Sequence, residues 1–398
     1  MHLAVLFARL GPYHVARLRA LSTDHEVTAL ELSGENLNYA WEPVDVAGLH
    51  HEQPFDVNHR TVRAGRLRRA VADVLSRRAP DVVAVPGWWD PGALVAIEWA
   101  RDHGVPVVLM SDSTRRDAPR VWWREWPKRR VVRLCQAGFV AGSRHEAYLS
   151  ELGLPSEQIV EGYDVVDNAH FSKGAERARN GMSLAEKRGL PEHYFLSCAR
   201  FVEKKNLSTL VQAYAGYRDR AEAGRWPLVL VGDGPLRERL EEQVRTLGLT
   251  EHVHFPGFQQ YEDLPAYYGR ADAFILPSRY EQWGLVVNEA MAAGLPVLVS
   301  ENCGCAPDLV AEGENGWTFA PDDPENLAQL MHRISGADVD RTAMGRASRN
   351  RIRAWSPDTF AQNMTAAAET ARQQDLPSLT PIDRLLLRAL VHKVLLSG

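Results

Sequence analysis

Residues 271–300 constrain the fold more than any other stretch. An apolar run of strand length, 271–276, stops at Pro277 and Ser278. Residues 285–293 read as a helix ended by Gly294, and 296–300 are a second apolar run. Strand, loop, helix, strand is one unit of a parallel sheet. The rhythm recurs along the chain. Residues 3–7, 26–32, 81–85, 106–110 and 137–141 read as strands in the first half, and 194–199, 227–231 and 253–255 in the second. Such alternation predicts an α/β protein with doubly wound parallel sheets. Residues 33–59 are turn-rich and show no periodic element. At 398 residues the expectation is two or three domains, and the polar stretch 173–187 reads as their connection.

Composition narrows the function. A net charge of −5 carries no nucleic-acid signature. Cys135, Cys198, Cys303 and Cys305 are too few and too scattered for a disulfide framework, which points to a reducing cytoplasm. Cys303-Gly-Cys305 has no second Cys or His pair nearby in sequence and reads as a loop rather than a metal site. Residues 1–7 read as a strand and lack the basic start and cleavage site of a signal peptide. No run reaches the ~20 apolar residues that a membrane span needs.

Glu281 falls in the loop at the carboxyl end of a strand, where open α/β sheets bind ligands. Gly284 and Leu285 open the following helix, so their N–H groups have no intrahelical partner and can take a phosphate. Glu289 lies about one turn further in. Two carboxylates beside an anion site repel phosphate. They make sense as hydroxyl binders, with a diphosphate on the backbone N–H groups between them. A sugar nucleotide has that layout.

In this segment, with Glu281-Gln-Trp-Gly-Leu-Val-Val-Asn-Glu289 running on through Ala-Met-Ala-Ala-Gly-Leu-Pro296, the chain resembles the retaining GT-B glycosyltransferases of family 4, marked by Glu-x7-Glu. The resemblance covers roughly residues 1–365; it is strong over 200–316 and loose in the first half. It implies two Rossmann-like domains facing across a cleft. Residues 1–168 would form the acceptor domain, with helices of 356–398 packing back on it. Residues 169–189 would be the linker and 190–355 the nucleotide-sugar domain.

The resemblance also implies roles. A strand-end Arg and a Lys five residues on can converge on one diphosphate, and Arg200 and Lys205 match the pair that neutralises the leaving group. Lys204 is a possible substitute for Lys205. Glu281 would hold sugar hydroxyls and Glu289 the ribose. Gly232, in Gly232-Asp-Gly-Pro235, would shape the nucleotide pocket, and Gly257 and Phe258 would lie along the base. Gly11 would let the first loop approach the donor phosphates. His14 would be either a proton or hydrogen-bond partner on the acceptor side or a cap on its helix. Asp112 stands where many relatives carry an acceptor-pocket histidine, and would orient an acceptor hydroxyl or simply cap a turn. Cys303-Gly-Cys-Ala-Pro-Asp308 departs from the family's Gly-Gly and Glu pattern and leaves the donor sugar open.

The implied activity is metal-independent transfer of a sugar from a nucleotide diphosphate sugar, a co-substrate, with no cofactor, to a saccharide or lipid-linked acceptor of a bacterial surface polysaccharide. The alternatives are a GT-B phosphorylase or epimerase, or a sensing module without turnover. Residues 115–133 carry eight basic residues interleaved with Trp122, Trp123 and Trp126. Either they touch a membrane or a phosphate-bearing acceptor, or they form a solvated helix face with inward tryptophans. The C-terminal helix, with Arg384, Arg388 and Lys393, either joins that contact or packs on the first domain. The expected location is cytoplasmic, in solution or peripherally at the inner membrane face.

Overall fold

The computed structural model describes residues 1–34, 42–118, 120–180, 189, 191–220 and 225–397. The chain divides into two compact units, Met1–Val165 with Pro357–Gly398, and Val166–Ser356.

The first unit is a seven-stranded sheet of β1 (His2–Phe7), β2 (Glu26–Glu31), β3 (His50–Glu52), β4 (Val82–Pro86), β5 (Val107–Ser111), β6 (Ala137–Val140) and β7 (Ile159–Glu161). Their order is β3-β2-β1-β4-β5-β6-β7, with every pairing parallel. Central strands of a parallel sheet are covered on both faces, which is why Leu3–Phe7 is buried without alternation. The edge strand β3 lies in the stretch that showed no sequence periodicity; it has only three residues, His-His-Glu, and no apolar run to betray it. Part of that stretch, 35–41, lies outside the described residues.

The second unit holds β8 (Phe195–Cys198), β9 (Leu228–Val231), β10 (Val253–Gly257), β11 (Ala273–Leu276), β12 (Val297–Ser300) and β13 (Gly316–Phe319). Their order is β10-β9-β8-β11-β12-β13, again all parallel. The chain runs outward from β8 to β10, then returns and starts again at β11 on the other side of β8.

The stretch expected as a linker is largely not one. Residues 168–180 form a helix, Asn168–Asn180, that belongs to the second unit. Its buried side is small, with Gly174, Ala175 and Ala178 around Phe171. That smallness gave no apolar signal in the sequence, yet it lets helix Leu264–Arg270 approach closely. A Cβ on Gly174 would stand 2.4 Å from the Pro265 Cβ, and one on Gly269 2.6 Å from the Ala175 carbonyl. The remainder of the linker expectation, 181–188, lies outside the described residues. That helix, Leu264–Arg270, carries Pro265 in its first turn, where a missing N–H costs nothing.

Candidate active site

In the second unit β8 and β11 are neighbours whose carboxyl ends lead into loops running opposite ways. This is the topological switch point, where such sheets leave a crevice for ligand. Three expected residues, Arg200, Lys205 and Glu281, lie on the two loops that flank it.

Backbone and amide bonds lock these loops together. After β8 a single turn, Glu203–Lys205, ends at Asn206, whose φ of 56° is left-handed. Asn tolerates that conformation better than most residues. The Asn206 amide donates to the carbonyls of Pro277 at 3.1 Å and Pro321 at 2.7 Å. The Arg279 N–H donates to the Lys204 carbonyl at 2.9 Å. On the other side, the Glu281 carbonyl accepts from the Gly304 N–H at 2.9 Å and the Trp283 carbonyl from the Cys305 N–H at 3.2 Å. Asn206 went unremarked in the sequence; an Asn closing a charged turn before a helix was the available signal.

The side chains then meet. Lys205 forms an ion pair with one Glu281 oxygen, and Lys204 Nζ stands 3.5 Å from the other. Ser278 Oγ lies 3.4 Å from the same carboxylate. Glu281 and Lys205 are largely buried and Lys204 is a third exposed. Burial opposes ionisation of Glu281, but Lys205 and Lys204 outweigh it and hold the carboxyl below its ordinary range. The pair is therefore charged at neutral pH. Arg200 is exposed, and its carbonyl accepts the Val202 N–H at 2.9 Å.

Gly284 precedes helix Leu285–Ala292 with φ 112° and no side-chain cap. Its left-handed backbone favours glycine, and a Cβ would also meet Leu276 Cδ2 at 3.0 Å. Gly284 and Leu285 are partly exposed, and the first N–H groups of a helix have no intrahelical partner. Glu289, expected on the ribose hydroxyls, lies in helix Leu285–Ala292. It is fully buried and accepts the Tyr268 hydroxyl at 2.6 Å. Position 289 lies on the helix face turned into the unit, and nothing in the local sequence pointed to Tyr268, 21 residues upstream.

The neighbouring strand ends complete the frame. Gly232 follows β9 with φ 132°, and Gly234 has φ 156°. The Phe201 N–H donates to the Asp233 carbonyl at 2.8 Å, laying the turn after β9 against the Arg200 loop. Gly257 closes β10 at φ 82°, and the next residue, Phe258, presents a ring 39 % exposed. The four cysteines are buried and free. Among the described residues no group of three or more His, Cys, Asp or Glu side chains could hold a metal ion.

Gly11, His14 and Asp112 lie in the first unit. His14 Nδ1 accepts the Gly11 N–H at 3.0 Å, so the imidazole does cap the start of helix Pro12–Leu21. Burial, then the Arg17 guanidinium, drive its pKa down to about 3, which keeps the ring neutral. Gly11 itself has φ −125°, extended backbone open to any residue. Burial, then the neighbouring Asp164 carboxylate, push Asp112 up to about 7, poised to hold or release a proton near neutrality. In helix Ala64–Arg78, Arg68 pairs with Glu98, and Arg77 and Arg78 pair with Glu52. In helix Trp122–Val132 the tryptophans point outward, against the inward-packed alternative.

Two all-parallel α/β units, one with a cation-lined crevice at its switch point, define a protein of the GT-B fold. Sucrose-phosphate synthase of Thermosynechococcus elongatus superposes with a TM-score of 0.73 at 19% identity, covering 93% of this chain and 98% of that one. Residues 184–351 match the family described as glycosyl transferases group 1. A GDP-mannose-dependent phosphatidylinositol monomannoside mannosyltransferase of Mycobacterium tuberculosis is 34% identical over 177 residues, 42% of this chain and 44% of that protein. The chain thus spans less than half the length of that relative. A glycogen synthase of the same organism is 27% identical over 345 residues, 83% of this chain and 79% of its own length.

Proposed function

We propose that this chain moves a sugar from a nucleotide diphosphate sugar to an acceptor hydroxyl, with retention of anomeric configuration and without a metal ion. The observation that carries this reading is the charged Lys205–Glu281 pair, flanked by Lys204, beside an uncapped helix start at the switch point. The diphosphate would lie on the N–H groups of Gly284 and Leu285, with Arg200 and Lys205 as counter-charges. Lys205 would turn from Glu281 to phosphate, leaving the carboxylate for sugar hydroxyls. The anomeric carbon–oxygen bond to the diphosphate breaks, the acceptor oxygen bonds the same face, and the acceptor proton passes to the departing phosphate oxygen. Charge growing on that oxygen is what the cations and N–H groups stabilise. Glu289 would take the ribose diol in place of the Tyr268 hydroxyl it now binds, and Phe258 would lie along the base.

The acceptor is proposed to be a saccharide or lipid-linked intermediate of a surface polysaccharide. The mycobacterial relative, a GDP-mannose-dependent phosphatidylinositol monomannoside mannosyltransferase, is a precedent for a nucleotide-sugar donor and a lipid-borne acceptor. His14 and Asp112 would serve the acceptor side, and Gly11 the approach to the donor phosphates.

A thermal-shift screen against nucleotide sugars tests the donor. A true donor at about 100 times its Kd should raise Tm by ~5 °C or more. Failure of every nucleotide and nucleotide sugar to shift Tm would reject the site. Binding without turnover would make the chain a sensing module. Transfer should also survive EDTA; loss that Mg²⁺ restores would reject the metal-free reading.

A further inference from the structure

We propose that the C-terminal helix and the tryptophan-bearing turn of helix Trp122–Val132 form one face that docks on an anionic lipid bilayer. Helix Pro381–Ser397 is apolar on two sides. One side, with Leu387, Leu390, Val391 and Val394, is buried in the core of the first unit. The other carries Ile382, Leu385, Ala389 and Leu396 on one helical stripe, all exposed, with exposed His392 between the last two. Leu385 is 71 % and Leu396 87 % exposed. A helix lying on a water-soluble core ordinarily turns polar residues to solvent.

The second element is equally exposed, with Trp122 at 76 % and Trp123 at 59 %. Arg130 joins the two. It donates to Asp383 at 2.6 and 2.9 Å, while its guanidinium lies 5.5 Å from the Trp126 ring centroid. The tryptophan turn and the start of the stripe are therefore side by side. At the far end, Lys393 sits over the ring of Trp89, which follows β4, so the face reaches the carboxyl edge of the sheet.

Charge selects the occupant. Residues 115–133 hold eight basic side chains against two acids in a chain of net charge −5. Arg124, beside Trp123, is exposed, and on the C-terminal helix so are Lys393 and Arg388, the latter 3.2 Å from Glu98. Tryptophan beside arginine suits a bilayer interface, and each surface cation adds attraction to anionic headgroups. A second copy would set Arg124 and its neighbours against their own like charges, since a two-fold interface is self-complementary. Among the described residues no helix is long and apolar enough to cross a membrane, so the face would lie on the bilayer rather than span it.

The test is flotation of the full chain with vesicles of phosphatidylcholine alone and of phosphatidylcholine mixed with phosphatidylglycerol. Binding is expected to the mixed vesicles only, weakening as salt rises. Trp122→Ser with Trp123→Ser, and separately Leu385→Gln with Leu396→Gln, should each weaken it by about tenfold or more with Tm unchanged, because these side chains are exposed. No binding to anionic vesicles, or wild-type binding by both double variants, would overturn the proposal. So would a dimer in sedimentation analysis that Leu385→Gln dissolves, because a second copy would then cover the face.

Discussion

Replacing Lys205 by alanine is expected to lower kcat for sugar transfer at least 100-fold while the chain stays folded. Lys205 is largely buried and paired with Glu281, and Lys204 stands 3.5 Å from the other carboxylate oxygen. A cation aimed at a charge that grows in the transition state contributes ~3–4 kcal/mol to barrier lowering. Lys204 cannot fully replace it, since it is further away and a third exposed. Part of any loss would come from a buried Glu281 left less compensated, and this can be separated. Glu281→Gln removes the negative charge and frees Lys205, yet should also suppress transfer, because an amide holds sugar hydroxyls less strongly than a carboxylate. The check is single-turnover kinetics on variants whose circular dichroism and Tm show them folded. Near-wild-type turnover in Lys205→Ala or in Glu281→Gln would remove the pair from the reaction.

Gly232→Ala is expected to destabilise the second unit by about 3 kcal/mol or more, a Tm drop of ~6–12 °C, and to reduce donor binding. Two costs combine. The φ of 132° is one that a side chain rarely adopts, and the new Cβ would lie 1.9 Å from the Ala199 carbonyl oxygen. That oxygen is backbone at the end of β8 and cannot swing aside as a side chain would. Any relief must move the Arg200 loop. Gly248→Ala is the control, with φ 68° and nothing within 4 Å of the added Cβ. It should cost only the ~1 kcal/mol of left-handed backbone. Equal losses in the two variants would show that the contact at Ala199 does not matter.

Much of the site was legible locally. Buried parallel strands read as unbroken apolar runs, so β8, β9, β11 and β12 stood out, and with them the loops at their carboxyl ends. Arg200, Lys205, Glu281 and Gly284 could be placed on those loops because each lies within a few residues of a strand end. Gly232, Gly257 and Gly284 all take the positive φ that a glycine at such a turn suggests. Gly11 does not, because its loop runs extended into the Pro12 helix.

What the sequence determined alone is therefore the succession of strands and helices, and the residues their loops carry, because burial and periodicity act over a few neighbouring positions. The tertiary structure decided everything that joins distant positions. Strand order set β8 beside β11 and brought Lys205 to Glu281 across 76 residues. Packing of Leu264–Arg270 gave Glu289 its Tyr268 partner, and residues 169–180 of the expected 169–189 linker lie in a helix of the second unit. It also left Trp122, Trp123 and Leu385 facing outward. An apolar residue is compatible with burial or with exposure; which one it meets depends on the elements the rest of the chain sets against it.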